Sequence, residues 1–384
     1  MSLLFYNQNK QNGHNFHIEF DNFKSAYFAF LGEFGYELIS WIPYLLYLKR
    51  TYGYHLNTIS RPDSDVFYYF SDNHQTINPK LVGDMWGFPQ HYHKLQEIVG
   101  SSNIIHPLII NNQFAEQFAI NNNTWSNTDI HKVLNTNSYI LPNYREIADD
   151  LPFELPNKFV LINNKFQRQW FDKFNSPINF FSADELKEIR DILYAQGYSV
   201  VYNNFVEATS YDEYFDYDDK GIFGSDGNSV HLSDYYNNLD ISKNHLQLSV
   251  INQSEFAIGV QGGNVYLPSL CGKDLLILIR DGIYLDYLEL ARINKHNIHA
   301  FYEGDHLVNF LPKFIKSIKN LGHNDDNTKF YFQKSILGND VNLLKIPESD
   351  ALSKGDNCVI FEEQISNDLQ ILLDKIKFTN FNPW

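Results

Sequence analysis

The stretch FAIGVQGGNVYLPSLCGKDLLILI, residues 256–279, constrains the fold more than any other part of the sequence. A short apolar strand leads into a Gly-Gly turn, the turn opens a helical segment, and a second apolar strand follows. Two strands joined through a helix lie parallel in one sheet, because the helical crossover returns the chain to the same end of that sheet. The stretch therefore predicts a parallel sheet and an α/β fold.

The first third of the chain contains a second unit of the same kind. The segment SAYFAFLG, residues 25–32, predicts a short buried strand that ends at a glycine. From Phe34 to Leu48, apolar residues recur with the i, i+3, i+4, i+7 spacing of a helix, and Gly53 is a typical stop signal. Residues 55–62, HLNTISRP, predict the next strand, so the order is again strand, helix and strand.

A third helix, predicted at residues 182–197, has clear signals at both of its ends. Ser182 can cap the first turn with Glu185 at the capping-box position, and Gly197 suits the residue that follows the last turn. Apolar strands are predicted on either side, and helix and strand predictions then alternate up to residue 279. This alternation is typical of a doubly wound sheet, in which helices cover both faces.

The length of 384 residues exceeds one ordinary core and suits two domains of roughly 150–200 residues each. A linker is predicted where Pro152 and Pro156 interrupt the helix and strand patterns. We therefore expect two Rossmann-like domains facing across a cleft, the first over residues 1–150 and the second over 151–320. Residues 321–384 are expected to form a C-terminal α/β segment, which ends in a helix packed back on the first domain.

The formal net charge of −16 disfavours a binder of nucleic acid or of anionic membranes, because either partner requires a basic face. An anionic small substrate would require a local concentration of cations and N–H donors. The two cysteines, Cys271 and Cys358, exclude a disulfide framework and suit a reducing compartment. The polar N-terminus and the lack of a long apolar run predict a cytoplasmic protein with no secretory signal and no transmembrane segment, and leave peripheral membrane contact open.

The turn formed by Gly262 and Gly263 is the strongest candidate for a ligand site. Without a Cβ, the turn lets a ligand approach the backbone, and the free N–H groups of the helix that follows favour a phosphate or pyrophosphate. Sheets of this type bind ligands at the carboxyl ends of their strands, where this turn lies. The turn matches neither the GxGxxG dinucleotide fingerprint nor a Walker P-loop, so a tight turn without ligand stays an alternative.

Two further segments that follow predicted strands contain charged candidates. In NNKFQRQWFDKF, residues 163–174, Lys165 and Arg168 concentrate positive charge, and Arg168 has the geometry for bidentate binding of a phosphate. In NNFVEATSYDEYF, residues 203–215, Glu207 is placed to accept hydrogen bonds from ribose hydroxyls. For both segments the alternative is an ordinary solvated loop.

Glu33 and Glu37 lie in the turn and the first helix of the N-terminal unit, about one helical turn apart. A carboxylate near a helix N-terminus is stabilised by the helix dipole by about 0.3–1 kcal/mol, which alone can account for either residue. The same position also suits a general base that takes a proton from a hydroxyl. On these residues alone, both interpretations stay open.

The segment YELISWIPYLLYL, residues 36–48, resembles the N-terminal motif of bacterial heptosyltransferases, which are glycosyltransferases of the GT-B architecture. That motif is a Gly-Asp-apolar-apolar run leading to a Pro and a Leu, with the Asp as catalytic base. Glu37 falls on the family's Asp, and Pro43 and Leu45 fall on its Pro and Leu. Tyr36 stands where the family has Gly.

The segment VQGGNVYL, residues 260–267, resembles a second motif of these enzymes, V-D-T/S-G-x-x-H-L, which holds the donor diphosphate. Gly263 and Leu267 match the family's Gly and Leu, whereas Gln261 replaces its Asp and Tyr266 its His. With these differences, the resemblance is to GT-B glycosyltransferases in general. Fucosyltransferases of GT-B type and proteins of polysaccharide synthesis are further similar groups.

The resemblance implies a site for a nucleotide-sugar donor, mostly on the second domain. A Lys-x-Trp segment of the family resembles Arg168-Gln169-Trp170 in this chain. Backbone N–H groups of the Gly-Gly turn would bind the pyrophosphate and nearby cations would balance its charge, with no essential metal and no other cofactor. The residues predicted for donor binding are Lys165, Arg168, Glu207, Gln261, Gly262, Gly263 and Asn264.

For catalysis, the resemblance implies that Glu37, with Glu33 as the second choice, takes the proton of the acceptor hydroxyl in an inverting displacement. The acceptor would be a glycan or glycolipid, and the setting polysaccharide biosynthesis. Two alternatives stay open: a pyruvyl or phosphosugar transferase on the same scaffold, and a non-catalytic protein that binds glycans or partners. The differences from the family at Gln261 and Tyr266 keep the second alternative open.

Overall fold

The structure is a computed structural model, and its described residues fall into two compact units, Met1–Pro142 and Asn143–Asn380. The predicted boundaries at residues 150 and 320, and a cleft between facing domains, stay predictions. The described residues are 2–5, 16–19, 27–31, 34–78, 97, 100, 104–105, 140–147, 151, 153–165, 180–204, 219–223, 227–236, 242–279, 298–301, 304–321, 330–333 and 358–361.

The first unit is built on a four-stranded parallel sheet with the strand order β5-β4-β3-β6. Two further strands, β1 and β2, form an antiparallel pair. The chain runs from β3 to β4 and β5 and then returns to β6 on the other side of β3, so the carboxyl end of β3 is a topological switch point. The strands are β1 (Ser2–Phe5), β2 (Phe16–Glu19), β3 (Tyr27–Ala29), β4 (Asn57–Ser60), β5 (Asn73–Thr76) and β6 (Ile104–Ile105).

The helix predicted after β3 is present but not uniform. It consists of α1 (Phe34–Tyr36), a π-helical segment (Glu37–Trp41) and α2 (Ile42–Tyr52). Pro43 accounts for the interruption, because in a regular α-helix its ring would clash with the carbonyl of the residue four positions earlier. A wider π turn before the proline relieves that clash, and such turns are frequent at functional sites.

Both the end and the buried face of this helix were predicted correctly. Gly53 adopts a left-handed conformation with φ of 68°, and its N–H donates to the carbonyl of Lys49 at 2.9 Å. The side chains that face the sheet are fully buried, in keeping with the apolar spacing of the sequence. They include Leu38, Trp41, Ile42 and Leu45.

The second unit contains an eight-stranded sheet with the order β14-β13-β12-β11-β10-β7-β8-β9. All neighbouring strands are parallel except β13 and β14. The chain leaves β7 towards β8 and β9 and then returns to β10 on its other side, so the second switch point lies between β7 and β10. The strands are β7 (Phe159–Asn164), β8 (Ser199–Asn204), β9 (Ser229–His231), β10 (Ala257–Val260), β11 (Leu275–Leu278), β12 (Ile298–Phe301), β13 (Phe330–Gln333) and β14 (Cys358–Phe361).

Five α-helices are described in the second unit, after a short 3₁₀ helix (Tyr144–Glu146), and the capping box predicted for the first α-helix is confirmed. The N–H of Glu185 donates to the Ser182 hydroxyl at 3.2 Å, and the N–H of Ser182 donates to the Glu185 carboxylate at 2.7 Å. The helices are α3 (Ala183–Ala195), α4 (Ser233–Tyr236), α5 (Lys243–Gln253), α6 (Gly263–Leu270) and α7 (Gly304–Leu321).

The apolar faces of α3 and α7 pack with the sheet into one core, which includes Val160, Leu186, Phe256, Leu311 and Phe314. The α/β class with parallel sheets is thus confirmed. In the predicted C-terminal segment the described residues form β13 and β14, and the closing helix predicted there lies outside the described residues. No helix in the described part of the chain is both long and apolar enough to cross a membrane.

Candidate functional site

Lys165 and the Gly-Gly turn meet at the switch point of the second unit. Lys165 directly follows β7, and Gln261 and Gly262 directly follow β10, the strand that pairs with β7. A Cβ added at Gly262 would lie 3.4 Å from Cδ and 3.8 Å from Nζ of Lys165. The lysine side chain therefore lies along the backbone of the turn. This placement suits an ammonium group that binds the same anion as the turn.

The helix α6 begins at Gly263 with N–H groups that no side chain caps within the described residues. Gly263 and Asn264 supply the first N–H groups of the helix, and no preceding turn offers helical carbonyl acceptors for them. The N–H of the next residue, Val265, bonds to the carbonyl of Gly262 at 3.2 Å. The first N–H groups and the positive end of the helix dipole favour an anion at this end.

Gly259, inside β10, is a contributor to this site that the sequence reasoning missed. A Cβ at this position would lie 2.7 Å from Cγ2 of Val265 and 3.3 Å from the carbonyl oxygen of Asn163. Only a glycine lets the start of α6 and the end of β7 approach β10 this closely. The available signal was a glycine in the middle of an apolar strand, which often marks a close approach of backbone.

Buried amides form a polar network at the carboxyl ends of β7 and β8. Nδ2 of Asn203 donates to Oδ1 of Asn163 at 2.8 Å and to Oε1 of Gln247 at 3.4 Å, and the Tyr236 hydroxyl donates to Oδ1 of Asn203. These amides hold the strand ends against α4 and α5. The sequence reasoning missed the network, although an Asn-Asn pair at the end of each strand was a visible signal.

A second buried cluster lies beside the ends of β8 and β9. His231 Nε2 is 3.1 Å from Asp219 Oδ1, and Nδ2 of Asn204 donates to Oδ2 of the same carboxylate at 2.8 Å. Burial raises the pKa of Asp219, but hydrogen bonds from His231, Tyr202 and Asn204 outweigh it and hold that pKa below its usual value. Asp219 is therefore a buried carboxylate that remains ionised.

Glu37 is the candidate base in the first unit, and it is fully buried. Its Oε1 accepts from the hydroxyl of Tyr68 at 2.8 Å, and its Oε2 accepts from Nη2 of Arg61 and from Oγ of Ser64, both at 3.3 Å. Burial raises the pKa of Glu37 above its usual range, while the Arg61 charge and these hydrogen bonds act in the opposite direction.

Arg61 directly follows β4 and completes this cluster. Its guanidinium lies 5.8 Å from the centre of the Phe34 ring, and its side chain is 16% exposed. Its Nε is buried and has no hydrogen-bond partner among the described residues. Glu37 and Arg61 thus form a largely buried ion pair near the carboxyl end of the first sheet.

The structure brings together part of the predicted donor site. Lys165 and the Gly-Gly turn are adjacent, with Gln261 buried and Asn264 half-buried in the same turn and helix start. Within the described residues, no group of three or more His, Cys, Asp and Glu side chains is placed to hold a metal ion. The prediction that no metal is needed stays a prediction. The predicted site residues that lie outside the described residues are Glu33, Arg168 and Glu207.

No protein-family model matches the chain, and no curated protein matches it. Solved structures do. The E. coli heptosyltransferase WaaC with ADP-2-deoxy-2-fluoro heptose is 10% identical, with a TM-score of 0.48, over 76% of this chain and 99% of that chain. The glycosyl transferase family 9 protein from Veillonella parvula is 10% identical, with a TM-score of 0.43, over 77% and 88%.

The iron-containing dodecameric glycosyltransferase TibC from enterotoxigenic E. coli is also 10% identical, with a TM-score of 0.38, over 66% of this chain. The match spans 57% of the length of the TibC chain in this structure. In the structure of TibC with ADP-D-beta-D-heptose it spans 63% of that chain. The chain is thus similar to heptosyltransferases and to other glycosyltransferases. The two sequence motifs resemble those of the same groups of enzymes.

Proposed function

We propose that the protein is a glycosyltransferase, which transfers a sugar from a nucleotide-sugar donor to a hydroxyl of a glycan or glycolipid. The observation that carries the proposal is the contact of Lys165 with the Gly262 turn at the switch point of a parallel sheet. An ammonium, a turn without Cβ atoms and the first N–H groups of a helix converge there. That combination suits a diphosphate, the leaving group of a nucleotide sugar.

In the proposed reaction the bond between the anomeric carbon and the diphosphate breaks while the acceptor oxygen bonds to that carbon. Negative charge develops on the departing diphosphate, and Lys165 with the N–H groups of Gly263 and Asn264 stabilises it. Because these donors are already in place, they need little rearrangement as the charge develops. Arg168 and Glu207 are proposed to add a second cation and a ribose contact.

Glu37 is proposed as the base that accepts the proton of the acceptor hydroxyl. A single displacement of this kind inverts the configuration at the anomeric carbon. The carboxylate is enclosed by three donors, of which the contacts from Arg61 and Ser64 are the longer at 3.3 Å. We propose that the acceptor hydroxyl reaches Glu37 by replacing one of these two contacts, because their geometry is less close to that of an ideal hydrogen bond than the 2.8 Å bond from Tyr68.

The second candidate function is a non-catalytic protein that binds a nucleotide sugar or a glycan. The full burial of Glu37 favours it, because a base must come within hydrogen-bond reach of the proton it removes. This protein would bind the nucleotide as an enzyme does but would not consume it. Turnover, measured beside binding, separates the two functions.

Thermal unfolding with a panel of nucleoside diphosphates and nucleotide sugars tests the proposal. We expect one nucleotide series to stabilise the protein selectively, since a ligand at 100 times its Kd adds about 2.7 kcal/mol. The stabilising nucleotide sugar is then incubated with the protein, and release of the nucleoside diphosphate is followed by chromatography. If no member of the panel raises the unfolding temperature at millimolar concentration, the proposed function is wrong.

A further inference from the structure

The hydroxyl of Tyr68 makes the shortest contact to the Glu37 carboxylate. At 2.8 Å it is well within hydrogen-bond distance, whereas the Arg61 and Ser64 contacts are both 3.3 Å. Tyr68 binds Oε1, and the other two donors share Oε2. The orientation of the carboxylate therefore depends on Tyr68 at one oxygen and on two longer contacts at the other.

The ring that carries this hydroxyl is itself held in place. Tyr68 ends the short 3₁₀ helix Asp65–Tyr68 and is 2% exposed. It stacks on the imidazole of His74 on β5, with 4.7 Å between ring centres and 23° between ring planes. A buried ring that is stacked in this way has little freedom to swing its hydroxyl away from Glu37.

The hydrogen bonds of His74 define its tautomer. Ser60 Oγ donates its proton to the carbonyl of Arg61 at 2.9 Å, so in its 3.1 Å contact with His74 Nε2 the nitrogen must be the donor. Nδ1 lies 2.7 Å from Thr58 Oγ1, a hydroxyl that is also within hydrogen-bond distance of Ser71 Oγ and of the carbonyl of Asn73. Burial lowers the pKa of His74, which favours the neutral imidazole.

We propose that Tyr68, seated on His74, is a positioning residue that holds the Glu37 carboxylate in the orientation in which it accepts a proton. The inference rests on the proposed function, in which Glu37 is the base. It adds a role for two residues that the sequence motifs do not include. The two rings link β5 to the π-helical segment, so the position of the carboxylate follows from the packing of three separate elements.

The pH consequence follows from the groups that face Glu37. Within the described residues these are Arg61, which follows β4, Ser64, which precedes the 3₁₀ helix, and Tyr68, which ends that helix, with His74 behind Tyr68. A donated hydrogen bond stabilises the ionised carboxylate and lowers its pKa. Removing the Tyr68 hydroxyl must therefore raise the pH at which Glu37 loses its proton. The acidic limb of the rate profile should rise with it, because a base acts only when ionised.

The test is Tyr68→Phe, which removes the hydroxyl and keeps the ring on His74. Isotope-edited infrared spectra follow the carboxylate of Glu37, assigned by its absence from Glu37→Gln. We expect its titration midpoint to rise by about 1–2 pH units, the shift expected for one lost hydrogen bond to an ionised group. The matched control is Tyr44→Phe, because Tyr44 is likewise 2% exposed and is not among the groups that shift the pKa of Glu37.

Turnover is measured on the same variants as nucleotide release from the nucleotide sugar found by thermal unfolding, with water as acceptor. Tyr68→Phe should shift the acidic limb of kcat upward by the same amount, with the KM of the donor unchanged. An infrared midpoint that is the same in Tyr68→Phe, Tyr44→Phe and the wild type overturns the inference. A wild type that binds no nucleotide sugar overturns the proposed function instead, and the infrared titration still decides whether Tyr68 sets the ionisation of Glu37.

Discussion

At the scale of single residues, Lys165 and Glu37 have opposite charges in similar places. Each lies in the segment that follows a strand at a switch point of its own parallel sheet. Their surroundings differ. Lys165 lies against a turn with no Cβ, next to the start of a helix, whereas Glu37 is enclosed by a hydroxyl from tyrosine, a hydroxyl from serine and a guanidinium. The first environment suits a bound anion, and the second suits a carboxylate that exchanges a proton.

Replacing Lys165 by alanine should weaken binding of the nucleoside diphosphate by about 10- to 100-fold, as expected for one charge-assisted hydrogen bond. The matched control is Lys158→Ala. Lys158 precedes the other end of the same strand, and its Nζ lies 4.3 Å from the centre of the Tyr198 ring. Both variants lose one positive charge. Isothermal titration calorimetry measures the nucleotide affinity of each, and a larger loss in Lys165→Ala is a local effect that the change in net charge does not explain. Equal losses of affinity in both variants would show that Lys165 is not part of the site.

Residue types suggested these two candidates, but the partners of Glu37 were not visible in the sequence. Arg61, Ser64 and Tyr68 lie 24, 27 and 31 positions further along the chain. Their contact with Glu37 depends on β4 and the 3₁₀ helix returning to the same side of the first sheet. Helical periodicity reports neighbours three and four positions apart and holds no information on such contacts.

At the scale of elements, the site of the second unit depends on how closely β10, β7 and α6 approach one another. Gly259 sets that distance, because its missing Cβ leaves room for Cγ2 of Val265 and for the carbonyl of Asn163. The turn that follows β10 then places Gly262 against Lys165. The shape of the proposed anion site is therefore a consequence of packing between a strand and a helix.

The variant Gly259→Ala should lower the free energy of unfolding by about 1–3 kcal/mol, because the new methyl group overpacks the strand against the helix. The double variant Gly259→Ala with Val265→Ala removes the methyl group that it meets. We therefore expect the double variant to lose less stability than the sum of the two single losses. Urea unfolding of all four proteins measures the difference. Additive losses would mean that these two positions are not in contact.

Elements with local signals were predicted well, and elements that depend on distant contacts were not. The capping box of Ser182 and Glu185 and the stop at Gly53 involve residues a few positions apart. The π-helical segment before Pro43 was predicted as ordinary α-helix. Over so few residues, the spacing of apolar residues in a π-helix is nearly the same as in an α-helix. The short strand β13 was not predicted; it lies next to the edge strand of the sheet, where pairing with neighbours decides the structure more than propensity does.

At the scale of the whole molecule, the chain contains two compact units, each with a parallel sheet and one candidate site. Alternating strands and helices were enough to predict the class of fold. The order of strands was not predictable in this way, because it depends on which side of a strand each crossover returns to. That order creates the two switch points, and so it decides where Lys165 and Glu37 lie in their sheets.

The central claim of the proposed reaction is that Glu37 accepts the proton of the acceptor hydroxyl. The variant Glu37→Gln tests this most directly, because it keeps the shape of the side chain and removes its ability to accept a proton. One experiment measures donor affinity and transfer rate for the wild type and the variant. We predict that the rate falls by about 10²- to 10⁴-fold while the Kd of the nucleotide sugar stays the same. A variant that transfers sugar as fast as the wild type would contradict the account.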